Sequence, residues 1–400
     1  MARNHITPAL RPFGTSIFAV MTGLALEHDA VNLSQGSPDE DGPDFLKEAA
    51  ARAMRDKPNQ YAPFAGVPEF REALSDWWAD PGGRHADPGS EITVTAGCTE
   101  AIAAALLGLL EPGDEVILFE PFYDSYLACI AIARAVPRFV PLRREGDGYA
   151  FDPDELRAAF TNKTRAIMVN TPHNPTGKVY TDAEMRLIAD LCIEHGVTAI
   201  TDEVYERLTY TADQGRPHRS LASIDGMADR TIALSSLGKT FSLTGWKIGW
   251  AIAPPALTAA VQAAHQFLIF TVAKPLQHGA AEAMADPGCL AWVENLRVTL
   301  QSRRDRLFEV LTRLGFGATL PDAGYFITAD HTALSDPLGI EDDVTLCERM
   351  TKEAGVAAIP VSALCANKDA GRSLVRFSFC KSDRVLDEGI ARLERWFGGA

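Results

Sequence analysis

Between residues 90 and 260, short apolar runs alternate with longer segments in which apolar positions recur at helical spacing. Ile92–Thr95, Glu115–Phe119, Arg165–Val169, Val197–Thr201 and Thr231–Leu234 are rich in β-branched residues and read as short buried strands. Gly97 leads the first of them into an Ala-rich apolar helix around Glu100–Leu110. Glu111-Pro-Gly-Asp114 makes a turn, and a Thr/Asp cap opens a helix over Thr181–His195. This alternation predicts an α/β fold with a mostly parallel central sheet covered by helices on both faces. Further on, Leu296, Leu300, Leu307, Leu311 and Leu314 recur at helical spacing, so Cys289–Leu314 is predicted as one long amphipathic helix. Arg303, Arg304 and Arg306 are expected on its solvated face. The helix is expected to lead into a smaller α+β domain ending with Leu374–Phe379 and the helix Ser382–Phe397. The first 45 residues, punctuated by Pro8, Pro12, Pro38 and Pro43, read as irregular and are expected to pack on that domain. The expected division is a large domain over 46–288 and a small one built from 1–45 and 289–400.

Composition narrows the class. A chain of 400 residues exceeds one hydrophobic core of usual size. It has no apolar run of 18 residues, so a transmembrane helix is not expected, and its first ten residues lack the apolar centre of a signal peptide. The seven cysteines are scattered without a C-x-x-C pair, which points to reduced thiols and a cytoplasmic setting. The nine histidines show no ligand-pair spacing, so no metal is expected. A net charge of −15 disfavours nucleic acid and anionic membranes as partners. It leaves small anionic substrates open, because local cations decide those.

The segment with the most chemistry is Ser235-Ser-Leu-Gly-Lys239-Thr-Phe-Ser-Leu-Thr-Gly-Trp-Lys247-Ile-Gly249-Trp250. It follows a buried strand and places Lys239 in a small-residue turn, with a second cation eight residues on. A lysine at the mouth of a sheet, desolvated and near other cations, has its ammonium pKa lowered enough to act as an imine-forming nucleophile. Asp202 ends another predicted strand. An acidic residue there points into the ligand crevice of an open α/β sheet. Gly97 opens a strand-to-helix turn whose first amides are suited to a phosphate. Arg376 stands on the alternating strand Leu374–Phe379, and a guanidinium fork suits a carboxylate.

The pattern S-x-x-K-x-x-x-x-x-G-x-[RK]-x-G resembles the lysine segment of the class I/II aminotransferases, which use pyridoxal 5'-phosphate on the fold type I scaffold. Five further motifs match that family in its order: Thr95-Ala-Gly97-Cys98-Thr99, Glu120-Pro-Phe-Tyr123, Asn170-Thr-Pro-His-Asn174-Pro-Thr-Gly177, Thr201-Asp202-Glu-Val-Tyr205 and Leu374-Val-Arg376. The resemblance runs from about Phe13 to Trp396. It implies that Lys239 carries the cofactor as a Schiff base, while Ser236, Lys247 and the amides of Cys98 and Thr99 after Gly97 hold its phosphate. It places Tyr123 against the cofactor ring, Asn174 and Tyr205 at its phenolic oxygen and Asp202 at its pyridine nitrogen. It assigns the substrate carboxylate to Arg376 and the Gly36 backbone. Tyr61 then reaches the phosphate of a neighbouring subunit, which makes a homodimer functionally required.

Lys247 in place of the family's frequent arginine, with E-P-F-Y-D-S-Y and R-F-S-F-C-K, is similar to the kynurenine/glutamine/methionine and actinobacterial N-succinyldiaminopimelate aminotransferases. The stretch between Leu364 and Leu374 is shorter than the family pattern. Phe18, with Phe270 from the partner subunit, matches the family's side-chain pocket and implies an aromatic-lined, mainly apolar site. The expected reaction moves an amino group between an amino acid and a 2-oxo acid. Elimination, replacement or carbon–carbon bond formation on the same fold stays open, because these motifs serve all of them. A cofactor-sensing regulator would need a DNA-binding module ahead of this pattern, for which no room is expected.

Overall fold

The computed structural model describes residues 5–211 and 217–398, so 1–4, 212–216 and 399–400 of the expected domains lie outside the described residues. A two-residue strand β1 (Val31–Asn32) precedes eight that form one sheet. These are β2 (Ile92–Thr95), β3 (Glu115–Glu120), β4 (Val136–Glu145), β5 (Gly148–Phe151), β6 (Thr164–Asn170), β7 (Thr198–Asp202), β8 (Thr231–Ser236) and β9 (Gly249–Ile252). Their order is β2-β9-β8-β7-β6-β3-β4-β5. The run from β8 through β7, β6 and β3 to β4 is parallel, and the outer pairings β8/β9, β2/β9 and β4/β5 are antiparallel. β3 and β8 are buried along their whole length, as helices on both faces require.

Two consequences of this topology set up the site. In the parallel core, Asn170 of β6 and Asp202 of β7 are register partners at the carboxyl edge. Where the sheet turns antiparallel, Ser236 of β8 pairs with Gly249 of β9, and the Leu237 amide donates to Ile248 O at 3.0 Å. The segment carrying Lys239 and Lys247 is therefore a loop tied at its base to the sheet.

The helix Asp182–His195 opens with a reciprocal capping box between Thr181 and Glu184, as the Thr/Asp signal predicts. The Ala-rich helix spans Gly97–Leu109, three residues earlier than predicted, because Gly97 itself takes the positive φ of the turn and then starts the helix.

A second, four-stranded antiparallel sheet has the order β10 (Gly317–Ala318), β11 (Phe326–Asp330), β14 (Leu374–Ser378) and β13 (Ile359–Pro360). Arg376 lies on an inner strand of it, opposite Thr328 and Ile359. β1 pairs in parallel with β12 (Val356–Ala357), which joins the N-terminal segment to this region.

Two expectations need correction. The first 45 residues are not wholly irregular: Ile17–Glu27 is a helix whose N-cap Ser16 accepts from the Ala19 amide. Its apolar run has no polar face, so the periodicity that marks surface helices is absent. The arginines of the long helix, observed over Gly288–Arg313, are also not a solvated face. Arg303 and Arg304 are buried, and Arg306 is partly so. Arg303 pairs with Glu40 and Asp383, Arg304 donates to Pro321 O, and Arg306 pairs with Asp383 and Asp387. The charges of Arg303 and Arg306 are met by acids from the N-terminal segment and the last helix, which sequence spacing does not reveal, and that of Arg304 by the adjacent Asp305. Among the described residues, no helix is long and apolar enough to cross a membrane.

Candidate active site

A cavity of about 380 Å³ opens at the carboxyl edge of β6, β7 and β8. Its lining includes Phe18, Gly36, Gly97, Cys98, Thr99 and Tyr123 from the first part of the chain, and Asn174, Asp202, Tyr205, Ser236, Lys239, Lys247 and Arg376 from the rest. Thirteen residues singled out from the sequence thus converge from segments far apart in the chain.

Lys239 Nζ donates to Gly36 O at 2.7 Å and lies over the rings of Tyr205 and Tyr325. Burial pushes its pKa down to about 8; Cys380 and Asp202 oppose the shift, while Arg376 and Lys247 deepen it. At pH 7.5 about a quarter of such a lysine is the neutral, nucleophilic amine, against about one in a thousand for an ordinary lysine. Gly36 has no room for a side chain, since a methyl there would stand 2.5 Å from the Phe326 ring.

Asp202 is buried at the end of β7, and burial raises its carboxyl above the usual range. Tyr126 Oη donates to its Oδ2 at 2.7 Å, and the Val204 amide donates to Oδ1 at 3.3 Å. Both bonds favour the anion, as does a contact from the Cys98 thiol. No residue forms a salt bridge with it among the described residues, so the carboxylate is set to meet a cation from the cavity side.

The phosphate-type cradle is built from the base of two turns. The helix Gly97–Leu109 has Ala96 as N-cap, without a side-chain acceptor. Lys247, in the left-handed region at φ 53°, lies over the turn: a methyl on Gly97 would come within 3.0 Å of its Nζ. A methyl on Gly249 would stand 2.5 Å from the Gly97 carbonyl carbon, so only glycine lets β9 pass this close. Ser236 Oγ accepts from the Gly238 amide at 3.3 Å and faces the same space.

Arg376 is 1% exposed. Its Nη2 donates to Ser34 O at 2.7 Å and its Nη1 to Asn174 Oδ1 at 3.1 Å, while its Nε is buried without a partner. Burial lowers its pKa to about 10, with the guanidinium stacked over Phe326 at 3.9 Å and Phe18 at 5.1 Å. A guanidinium so dry, with its Nε–H unmet, is arranged for an incoming carboxylate.

Tyr61 and Phe270 stand apart. Neither lines the cavity; they meet edge to face at 5.2 Å on the exterior and are largely exposed. The sequence reading missed Tyr126, whose only signal was its place one turn after Tyr123. It also missed Asn170, which donates to Asp202 O at 2.9 Å and accepts from the Asn174 amide at 2.6 Å. Tyr325, whose hydroxyl donates to Lys239 O, carried no motif.

The sequence pattern of the family described as "Aminotransferase class I and II" matches residues 28–393. The chain belongs to that family. This aminotransferase is 41% identical to kynurenine–oxoglutarate transaminase 3 of Mus musculus over 405 residues, covering 96% of this chain and 88% of that one. It is 36% identical to the methionine aminotransferase of Escherichia coli K12, covering 99% and 100%. Among solved structures, N-succinyldiaminopimelate aminotransferase from Mycobacterium tuberculosis superposes with a TM-score of 0.92 at 46% identity, over 98% of this chain and 99% of that one. The fold is the fold type I α/β scaffold of these enzymes, and the cofactor is pyridoxal 5'-phosphate. The cavity fits that group on its own terms. It offers donors at a helix start beside two polar side chains, a lone buried carboxylate, and a lysine with lowered pKa.

Proposed function

We propose that this aminotransferase acts on large neutral or aromatic amino acids, or on an N-succinyl-diaminopimelate-like donor, with the roles that follow. The observation that carries the reading is the placement of Lys239, Asp202 and Arg376 in one cavity with Phe18 beside the guanidinium. When bound, pyridoxal phosphate supplies the aldehyde that takes up the amino group and a ring that accepts electrons from the substrate's α-carbon. Gly97, Cys98, Thr99, Ser236 and Lys247 hold its phosphate, with Tyr61 of a partner subunit completing the cup. Asn174 and Tyr205 face its phenolic oxygen, and Tyr123 packs on its face. Asp202 holds a proton on its ring nitrogen. Arg376 and the Gly36 backbone orient the substrate carboxylate. Lys239, once released as a neutral amine, takes the proton from the substrate α-carbon as general base and later returns it as acid.

Substrate preference follows from the cations available. The cavity-lining cations are Lys239, Lys247 and Arg376, each already assigned to the reacting end or the phosphate. A second carboxylate buried in the aromatic pocket without a paired cation costs several kcal/mol. Turnover with methionine, glutamine, kynurenine or aromatic amino acids is therefore expected ahead of aspartate. Comparing kcat/KM for methionine, phenylalanine, aspartate and N-succinyl-diaminopimelate checks this, with the cofactor spectrum followed in half-reactions. A hundredfold preference for aspartate would overturn the pocket reading. A cofactor that never takes up an amino group from any donor would favour elimination or carbon–carbon bond formation.

Tyr126 gives a second test. Removing its hydroxyl takes away a hydrogen bond to a charged group worth about 1.5–3 kcal/mol. Tyr126→Phe is expected to lower kcat about tenfold with little change in KM for the amino acid. An unchanged kcat would show that Asp202 does not need this bond.

The exposed cluster of Tyr61, Phe64, Phe267, Leu268 and Phe270 supports a homodimer with shared sites, in which Tyr61 and Phe270 serve the partner's cavity. Seven free cysteines support a reducing, cytoplasmic setting. The two sheets support a division into a large domain over 46–288 and a small one from 1–45 and 289–400.

A further inference from the structure

His265 lies in the helix Pro255–Leu268, outside the cavity, with its side chain fully buried. Its Nε2 is 2.8 Å from Phe64 O, and its Nδ1 is 3.1 and 3.2 Å from the two carboxylate oxygens of Glu100. A carbonyl oxygen only accepts. The Glu100 carboxylate is likewise an acceptor here, since its Oε2 also takes the Ala96 amide at 3.0 Å. Both ring nitrogens must then donate, and only the imidazolium does that. The surroundings agree, because Glu100 and the Phe64 carbonyl hold the His265 pKa above its ordinary value against the effect of burial. Among the described residues, Glu100 is the charged group placed against the ring. The Tyr61–Phe64 segment presents a carbonyl, and the neighbouring Gln262 is neutral and bonds Thr93.

The position of Glu100 gives this pair its consequence. It lies in the first turn of the helix Gly97–Leu109, where it braces the Ala96–Gly97 turn. An uncompensated carboxylate there would repel a phosphate bound at the same helix start. We propose that His265 is a positioning residue held as an imidazolium. It neutralises Glu100 beside the phosphate cup and ties the Phe64 segment, which carries Tyr61, to the cup. The proposal rests on the phosphate reading of Gly97–Thr99. Because the folded-state pKa is raised, the arrangement is intact below about pH 6.5, the unperturbed histidine value. It is lost as pH rises through the folded-state value.

The test has two arms. In the holoenzyme, ring nitrogen-15 resonances of His265, assigned by their loss in His265→Asn, should report both nitrogens protonated at about pH 6.5, where an ordinary histidine is half titrated. An unprotonated nitrogen would overturn the proposal. In binding, His265→Asn should weaken pyridoxal phosphate at least tenfold while leaving phosphate-free pyridoxal unchanged. The double variant with Glu100→Gln should recover to within threefold of wild type. Unchanged affinity in the single variant, or no recovery in the double, would also overturn it. Should His265→Asn fail to fold, Glu100→Gln alone decides: the titration midpoint of its His265 ring should fall with cofactor affinity kept, and a midpoint unchanged from wild type refutes the coupling. Failure of the phosphate reading itself looks different, since Lys247→Ala would then leave cofactor affinity unchanged while the His265 resonances stay those of a cation.

Discussion

Lys239→Ala is expected to abolish steady-state transamination, because on the proposed roles one substitution removes both the covalent anchor of the cofactor and the proton carrier. The structure explains why no neighbour substitutes. Lys247 is committed to the Gly97 turn, and Arg376, with a pKa still near 10, keeps its charge at neutral pH. Lys239 alone combines a lowered pKa of about 8 with a place among Gly36, Tyr205 and Tyr325. Borohydride reduction of the wild-type holoenzyme should leave the pyridoxyl label on the peptide containing Lys239. A label on Lys247 or Lys274 would sink the assignment. The substitution should leave the fold standing, since Lys239 contributes one hydrogen bond to Gly36 and the loop is held by the Ser236–Gly249 pair. Unchanged thermal stability alongside lost turnover would separate chemistry from folding.

Much of this site is legible in the sequence because its residues sit where backbone rules are strict. Asp202 and Asn170 end adjacent parallel strands, so a run of β-branched residues followed by an acid or amide announces the crevice. Gly97 and Gly249 are fixed by a positive φ and by a close approach, and each leaves a mark that spacing detects. What escaped was anything decided by partners distant in sequence. Arg303 looked like a surface residue until Glu40 and Asp383 arrived from both ends of the chain. The helix Ile17–Glu27 is apolar on its outward side as well, with Val20 and Leu26 exposed, so no polar face marks which side packs on β12 and β13. The link from His265 to Glu100 spans 165 positions and leaves no periodic trace. Tyr61 and Phe270 mark a further limit: the family resemblance assigns them to the site, yet on one chain they lie outside its cavity.

Asp202→Asn carries the second large effect and probes the electronic half of the mechanism. The amide preserves shape and still accepts from Tyr126, so packing and much of the cofactor affinity should survive. It carries no negative charge, however, and on the proposed placement a proton on the ring nitrogen then loses its buried counter-ion. Without that proton the ring is a poor acceptor for the electrons of a broken α C–H bond. Removal of the substrate α-proton is expected to slow by at least about a hundredfold, near 2.7 kcal/mol at ~1.4 kcal/mol per decade. Single-turnover measurement with an α-deuterated amino acid isolates this step, and the isotope effect should rise as proton removal becomes limiting. A loss confined to KM would instead assign Asp202 to substrate binding. Proton removal within about threefold of wild type, below ~0.7 kcal/mol on the same scale, would mean that Asp202 does not sit opposite the ring nitrogen. The burial that raises the Asp202 carboxyl makes the test sensitive, since a carboxylate kept dry without a salt-bridge partner among the described residues gains most from a cation delivered by the cofactor.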